Sequence, residues 1–254
     1  MLVLLSPAKT FDLSSYNLYS QLSDKLSIPE FLDESLELAA LLKKYSTSDI
    51  SKLMGLSEKL SELNFQRFKN FSETHNLDNS RPAIFAFKGD VYKAIEVNKY
   101  NFAELEFANK TLRIISGFYG IVKALDLIKE YRLEMSIKLP NKLGGDLYKF
   151  WGGKITANLN QETTQHILNL ASQEYSSAIS FNKLKHKVIN VVFKERHKGE
   201  HKIIGVHAKK ARGMMANFII RNLIDQPQFI KEFNDHDYEF IPGLSSEGEY
   251  IFIR

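Results

Sequence analysis

Short apolar runs alternate with helical-period stretches from one end of this 254-residue chain to the other. That interleaving limits the fold more than any single motif does. Leu2–Leu5, Arg81–Phe87, Ile167–Ala171 and Glu249–Ile253 read as strands, short and apolar with turn residues beside them. Val188–Lys194 and Lys202–His207 read as a hairpin closed by Lys198-Gly199-Glu200. Between them lie helical patterns. Pro29 opens one, with Phe31, Leu32, Leu36, Leu38, Ala39 and Leu42 on one face. Asp49–Met54 and Glu58–Phe71 follow, with Ser48 and Ser57 as N-caps. Phe102–Ile115, Ile121–Lys129, Asp146–Leu159 (interrupted by Gly152 and Gly153), Lys209–Leu223 and a segment from Pro227 to Phe233 complete the set. Residues 13–27 read as an irregular connection. No repeat, linker or low-complexity segment divides the chain. The pattern predicts one α/β or α+β domain over residues 1–254, a mixed sheet with surrounding helices.

Composition removes several function classes. Cysteine is absent, which excludes disulfide frameworks, thiolate metal sites and thiol catalysis. No window approaches the ~18 apolar residues of a membrane span, and the apolar start is cut short by Ser6, Pro7 and Lys9, unlike a secretory leader. The expectation is a cytoplasmic protein without membrane contact. Residues 183–212 hold ten Lys or Arg against two Glu, a local +8 within a chain of net +4, so the remainder sums to −4. A basic surface on a near-neutral body fits an anionic partner: nucleic acid, nucleotide or phosphate. The plain alternative is a lysine-rich hairpin in solvent.

The usual phosphate loops and the nucleophile elbow are missing, so function rests on other constellations. Ser6-Pro7-Ala8-Lys9-Thr10 follows the first strand, where open α/β sheets bind ligands. Lys88-Gly89-Asp90 repeats that arrangement after Arg81–Phe87. Leu112–Leu127 reads as two helices around a glycine turn, the form of a helix-hairpin-helix that grips a phosphate with backbone N–H groups. Two residues separate Gly117 from Gly120, where that motif usually has one. Ala208-Lys209-Lys210-Ala211-Arg212-Gly213 puts three cations at the expected start of a helix, where the macrodipole prefers anions. Such a conflict often marks a functional site. His197 and His201 flank a turn and make a poor metal pair. His207 adjoins the basic cluster. Asp126, Glu134 and Asp146 are open to acid–base work or to ion pairs with Arg113 and Arg132.

LLSPAKTFD (4–12), FKGDVY (87–92), LRIISGFYGIVKALDLIKEYRLEM (112–135), GDLYKFWG (145–152), NLASQEY (169–175) and AKKARG (208–213) occur in one order. On these segments the chain resembles the YaaA family of bacterial peroxide-stress proteins. The resemblance implies a cytoplasmic protein that protects against hydrogen peroxide, linked to lowering free iron. It also implies DNA binding, selective for DNA structure rather than base sequence, through a helix-hairpin-helix and a basic groove. Carried onto this chain, the hairpin is 112–128, with DNA contacts at Ser116, Gly117, Phe118, Tyr119, Gly120 and Lys123. The anion or phosphate groove is Lys9, Lys88, Arg132, Lys209, Lys210 and Arg212. Three departures stand out: Lys123-Ala124 where the family has Arg-Pro, Gly153 where it often has an acid, and Asp237-Tyr238 where a glycine tends to precede the tyrosine.

Two rival readings stay open. The same cations suit an enzyme acting on a nucleotide or another phosphorylated small molecule, although no nucleophile or general base is identifiable. Direct iron sequestration would rest on carboxylates alone. No cofactor and no metal ligand set is expected. An enclosed pocket lined by Lys9, Lys88 and Lys209 would favour a small molecule, and an open groove would favour DNA.

Overall fold

Leu2–Leu5 (β1) is buried at every residue, as an inner strand of a parallel sheet covered on both faces must be. The computed structural model describes residues 1–14, 22–197 and 199–254. Residues 15–21 of the irregular connection expected at 13–27 therefore lie outside the described residues, as does Lys198 of the expected turn. After β1 comes the two-residue strand Thr10–Phe11 (β2). Three helices follow, Leu32–Leu42 (α1), Thr47–Met54 (α2) and Glu58–Lys69 (α3). The cap of α2 is Ser46 rather than Ser48. Its side chain accepts from the Asp49 N–H while Asp49 accepts from the Ser46 N–H, a reciprocal capping box. Ser57 does sit at the N-cap of α3, but its side chain makes no capping bond.

The expected strand at 81–87 is three pieces: Arg81–Pro82 (β3), a turn of helix Ala83–Ala86 (α4) and Phe87–Lys88 (β4). The N–H groups of Ala83 and Ile84 are taken by the carbonyls of Asp126 and Ala124, a long-range pairing that apolarity alone does not report. Helices Asp90–Ile95 (α5) and Phe102–Thr111 (α6) come next.

The helix expected over 102–115 stops at Thr111, and Leu112–Ser116 is a strand (β5). Gly120–Lys123 (β6) returns antiparallel to it, with Ile114 opposite Val122 and Ser116 opposite Gly120. Leu127–Ile128 (β7) pairs with β3. The helix-hairpin-helix expected at 112–128 is thus a β-hairpin. The β-branched pairs Ile114-Ile115 and Ile121-Val122 favour strand, and a short apolar run does not by itself separate strand from helix.

The hairpin tip is buried rather than presented to a ligand. Ser116 Oγ accepts from the N–H groups of Phe118 (3.1 Å) and Tyr119 (2.9 Å) and meets Tyr131 Oη at 2.7 Å. Trp151 Nε1 donates to the Gly117 carbonyl at 3.0 Å. Gly120 has φ +70°, and a Cβ there would stand 2.7 Å from the Trp151 ring. The glycine spacing serves aromatic packing. His75 extends the network: with Nδ1–H donating to Glu73 O (2.8 Å), Nε2 accepts from Tyr119 Oη (3.1 Å).

Leu147–Trp151 (α7) and Lys154–Leu159 (α8) match the interrupted helix, with Asp146 capping α7. His166–Asn169 (β8), Gln173–Ser176 (α9), Lys187–His197 (β9) and Glu200–Lys202 (β10) follow. The second limb of the β9–β10 hairpin is shorter than expected, because Gly205–Arg221 is already helix (α10). Residues Pro227–Glu232 form a 3-10 segment. Glu239–Phe240 (β11) and Glu249–Ile253 (β12) close the chain.

The main sheet has the order β11-β12-β9-β8-β1-β5-β6, with β10 paired to β9. Its inner strands β12, β9, β8, β1 and β5 are all parallel, and antiparallel strands end it on both sides. The result is a single mixed α/β domain. From β1 the chain first adds β5 on one side, then crosses to add β8 on the other. That reversal leaves a crevice beyond the carboxyl ends of β1 and β8.

α10 packs on α5 through Gly213. A Cβ at Gly213 would lie 2.1 Å from the Val91 carbonyl oxygen. Backbone cannot yield there as a flexible side chain would. Gly213→Ala is expected to cost about 2 kcal/mol or more and to lower Tm by several degrees, read by thermal unfolding. An unchanged Tm would show that the two helices are not in this contact.

Burial lowers the His75 pKa from its ordinary value. The unfolded chain then binds more protons between the lowered value and about 6.5, so stability falls as pH drops through that window. Unfolding curves from pH 7 to about 5.5 should show a smaller loss in His75→Gln than in the wild type. Equal losses would contradict the assignment.

Candidate functional site

The crevice lies where the strand order reverses, and separate stretches of chain form it. From the end of β1 come Ser6, Pro7, Ala8, Lys9 and Thr10; from the β4–α5 junction Lys88, Gly89, Asp90, Val91 and Tyr92. From beyond β8 come Leu170, Ser172, Glu174 and Tyr175, and from α10 Lys209 and Arg212. The cavity measures about 280 Å³.

Local bonds hold these loops in register. The Ser172 N–H donates to Ser6 Oγ at 2.8 Å, tying the ends of β8 and β1 together. Tyr92 Oη donates to the Ser6 carbonyl at 2.9 Å. β2 pairs with β4, Thr10 opposite Lys88, and Thr10 Oγ1 donates to the Lys88 carbonyl. Gly89 permits the close approach: a Cβ there would come 3.2 Å from Ala8 Cβ. Burial raises the phenols of Tyr92 and Tyr175 far above their ordinary range, so both are neutral lining groups.

The charges are unevenly satisfied. Lys88 reaches Asp12 at 3.4 Å, and Lys9 reaches Glu134 Oε1 at 3.1 Å. Both lysines are exposed, so these pairs hold them weakly. Arg132 also bonds Glu134 Oε1, through Nε and Nη2 at 3.0 Å. Lys209 has no ion-pair partner among the described residues. Arg212 has none either; its Nε is buried without a hydrogen bond, and burial lowers its pKa. A partly buried guanidinium with one N–H unbonded and no ion-pair partner is costly, and an anion in the crevice would reduce that cost.

Of the six basic groove residues expected from sequence, Lys9, Lys88, Lys209 and Arg212 line one crevice. Arg132 joins its edge through Glu134. Lys210 lies outside and lines a separate cavity of about 710 Å³ with Val206, Met214 and His236. The reason offered for the cluster needs correction as well. α10 starts at Gly205, so Lys209 to Arg212 occupy its second turn, where the macrodipole has faded. Ser116, Gly117, Phe118, Tyr119 and Gly120 are buried in the hairpin tip, and Lys123 alone of that set is exposed. The buried five offer no surface to a duplex.

His207 lies 3.5 Å from Glu195 and does not line the crevice. Asp126 is buried, bonded to Ser27 and the Lys123 N–H, and Asp146 is a helix cap. Arg113 pairs with Glu162 rather than with any of the three carboxylates weighed beside it. Among the described residues no three His, Asp or Glu side chains gather as metal ligands, and no helix is long and apolar enough to cross a membrane. Ser172 and Tyr175 escaped the sequence reading as site residues. Their signal was position, directly after a parallel strand.

A mixed α/β protein with a basic crevice at the switch point of its sheet is what fold and geometry define. The chain belongs to the family described as peroxide stress protein YaaA, whose model matches residues 1–244. It is similar to a UPF0246 protein of Acaryochloris marina, 43% identical over 256 residues and 100% of both chains. A UPF0246 protein of Aliivibrio fischeri is 42% identical over 258 residues, covering 100% of this chain and 98% of that protein.

Replacing the unpaired guanidinium with an apolar chain of similar length separates stability from binding. Arg212→Met is expected to unfold at a Tm equal to or above that of the wild type, because a desolvated charge is gone. Inorganic phosphate should raise the wild-type Tm at constant ionic strength, since a ligand of the native state stabilises it by RT ln(1 + [L]/Kd). In Arg212→Met that response should vanish. The same phosphate response in both proteins would move the anion elsewhere.

Proposed function

We propose that this peroxide-stress protein binds DNA by its phosphates at the carboxyl end of the sheet, using Lys9, Lys88, Lys209 and Arg212. The observation that carries the reading is the direction of β9. It runs parallel to β8 with Asn190 opposite Asn169. It then continues through Val191–His197, seven residues beyond the end of β8, or about 23 Å at ~3.3 Å per residue. The β9–β10 hairpin of the +8 segment therefore emerges at the end of the sheet that holds the crevice. Arg196 and Lys202, held weakly by the exposed pairs with Glu239 (3.9 Å) and Glu200 (2.8 Å), extend the basic surface beyond what a small ligand covers. A surface of that length suits a polyanion. Binding through phosphates involves no base readout, in keeping with the structure-selective binding that the family resemblance implies. The hairpin at 112–128 takes no part in it.

The small volume of the crevice, about 280 Å³, favours a second reading, a nucleotide or other phosphorylated small molecule as the ligand. The lowering of free iron that the family resemblance implies is assigned downstream of binding.

Fluorescence anisotropy of a labelled duplex and of a junction, across a salt series, tests the proposal. Affinity should fall steeply with salt, by a slope of about 0.9 per phosphate contacted. Lys209→Gln should weaken all sequences alike and reduce the slope by about one. No binding at low salt would reject DNA. A nucleotide that still raised Tm would then support the second reading.

A further inference from the structure

The four crevice cations explain a phosphate but leave Glu134 unexplained. Its side chain is 11% exposed, and Lys9 and Arg132 both bond Oε1. Oε2 is buried with no hydrogen-bond partner. A small cavity of about 10 Å³ lies against Glu134, and Pro7, Ala8, Lys9 and Tyr175 line both it and the main crevice. Two adjoining cavities with these four residues in common thus carry an unsatisfied guanidinium N–H, at Arg212, and an unsatisfied carboxylate oxygen, at Glu134. The two make opposite demands. Arg212 calls for an anion, and Glu134 repels one, because a carboxylate oxygen accepts hydrogen bonds and carries negative charge. A bare phosphate satisfies the first and leaves the second buried and unpaired, at a cost. The ligand that satisfies both has a phosphate at one end and an N–H or O–H donor at the other.

Size narrows the class. At about 280 Å³ the crevice stands at the lower end of the ~300–1,000 Å³ usual for small-molecule sites. A duplex does not enter such a space, whereas one nucleotide does. Tyr92 and Tyr175 give it aromatic lining beside the polar groups. Every nucleobase offers an N–H on its pairing edge, and that edge is hidden until the base leaves the stack.

We propose that the crevice holds a single nucleotide turned out of the DNA stack, its phosphate on Arg212 and Lys209 and a base N–H on Glu134 Oε2. This rests on the DNA reading above. The duplex would lie along the basic end of the sheet while one unit enters the crevice. A mismatched or unpaired base is the easiest to extrude, so the protein would favour DNA whose pairing is already weakened.

The test uses the full chain and a duplex with one 2-aminopurine at a central mismatch and a dye at one end. Anisotropy of the dye reports binding, and 2-aminopurine fluorescence reports unstacking. The expected result is a several-fold fluorescence rise at saturation in the wild type. Arg212→Met, driven to saturation by more protein, should show no rise. Thermal shifts provide the second arm. A deoxynucleoside monophosphate should bind about tenfold tighter than inorganic phosphate, the worth of one hydrogen bond to a charged acceptor. In Glu134→Gln that advantage should shrink while the response to inorganic phosphate persists. Saturated anisotropy without a fluorescence change overturns the extrahelical site and leaves the DNA reading standing. Absence of any anisotropy change overturns both, and a monophosphate that still shifts Tm would then make the free nucleotide the ligand.

Discussion

The site depends on one close approach between backbones. α10 lies against α5 because Gly213 presents no Cβ to the Val91 carbonyl, which a methyl group would meet at 2.1 Å. That contact fixes the height of the second turn of α10, and with it Lys209 and Arg212, beside the β4–α5 junction that carries Lys88 and Gly89. Gly89 repeats the device on a smaller scale against Ala8. Two glycines therefore bring three stretches far apart in sequence, around residues 8, 89 and 212, into one crevice. The positive charge gathered there opposes folding, and the apolar contact beneath it keeps the cations together.

Topology supplies the space. The parallel strands place the ends of β1 and β8 side by side at the point where strand addition reverses. The Ser172 N–H to Ser6 Oγ bond spans that point without filling it. Below the sheet end, the core is saturated with aromatic contacts and internal hydrogen bonds, as around Ser116, Tyr131 and Trp151. In the crevice Arg212 Nε, and in the small cavity beside it Glu134 Oε2, are left over. The serine hydroxyl at the hairpin tip is met three times, whereas Arg212 Nε and Glu134 Oε2 are buried without a partner, as are Arg67 Nε and His207 Nδ1 away from the crevice.

Much of this was legible in the sequence, for reasons that differ by element. β1, β12 and the helices α1 and α3 carry strong periodicity or uninterrupted apolar runs and lie where the pattern put them, whereas α10 begins at Gly205 rather than Lys209. The mixed single-domain architecture followed from that interleaving. Segments 81–87 and 112–128 were misread because their identity is set by partners far along the chain. Ala83 and Ile84 bond to carbonyls at Asp126 and Ala124, and β5 is a strand because β1 and β6 flank it. The basic cluster was found for a reason the structure removes. Lys209 and Arg212 do not sit in the first turn of α10; their interest lies in having no ion-pair partner among the described residues. Glu134 was visible as an acid, but its free oxygen and its place beside the crevice arise only when Lys9 and Arg132 converge on the other oxygen.

Lysine footprinting addresses the central claim most directly. The protein is acetylated at low reagent, alone and with saturating DNA, and each lysine is followed by mass spectrometry. The account predicts protection of Lys9, Lys88 and Lys209 together, with Lys52 and Lys142, which lie on α2 and in the loop before α7, modified equally in both samples. Protection elsewhere, with those three lysines unchanged, would contradict it.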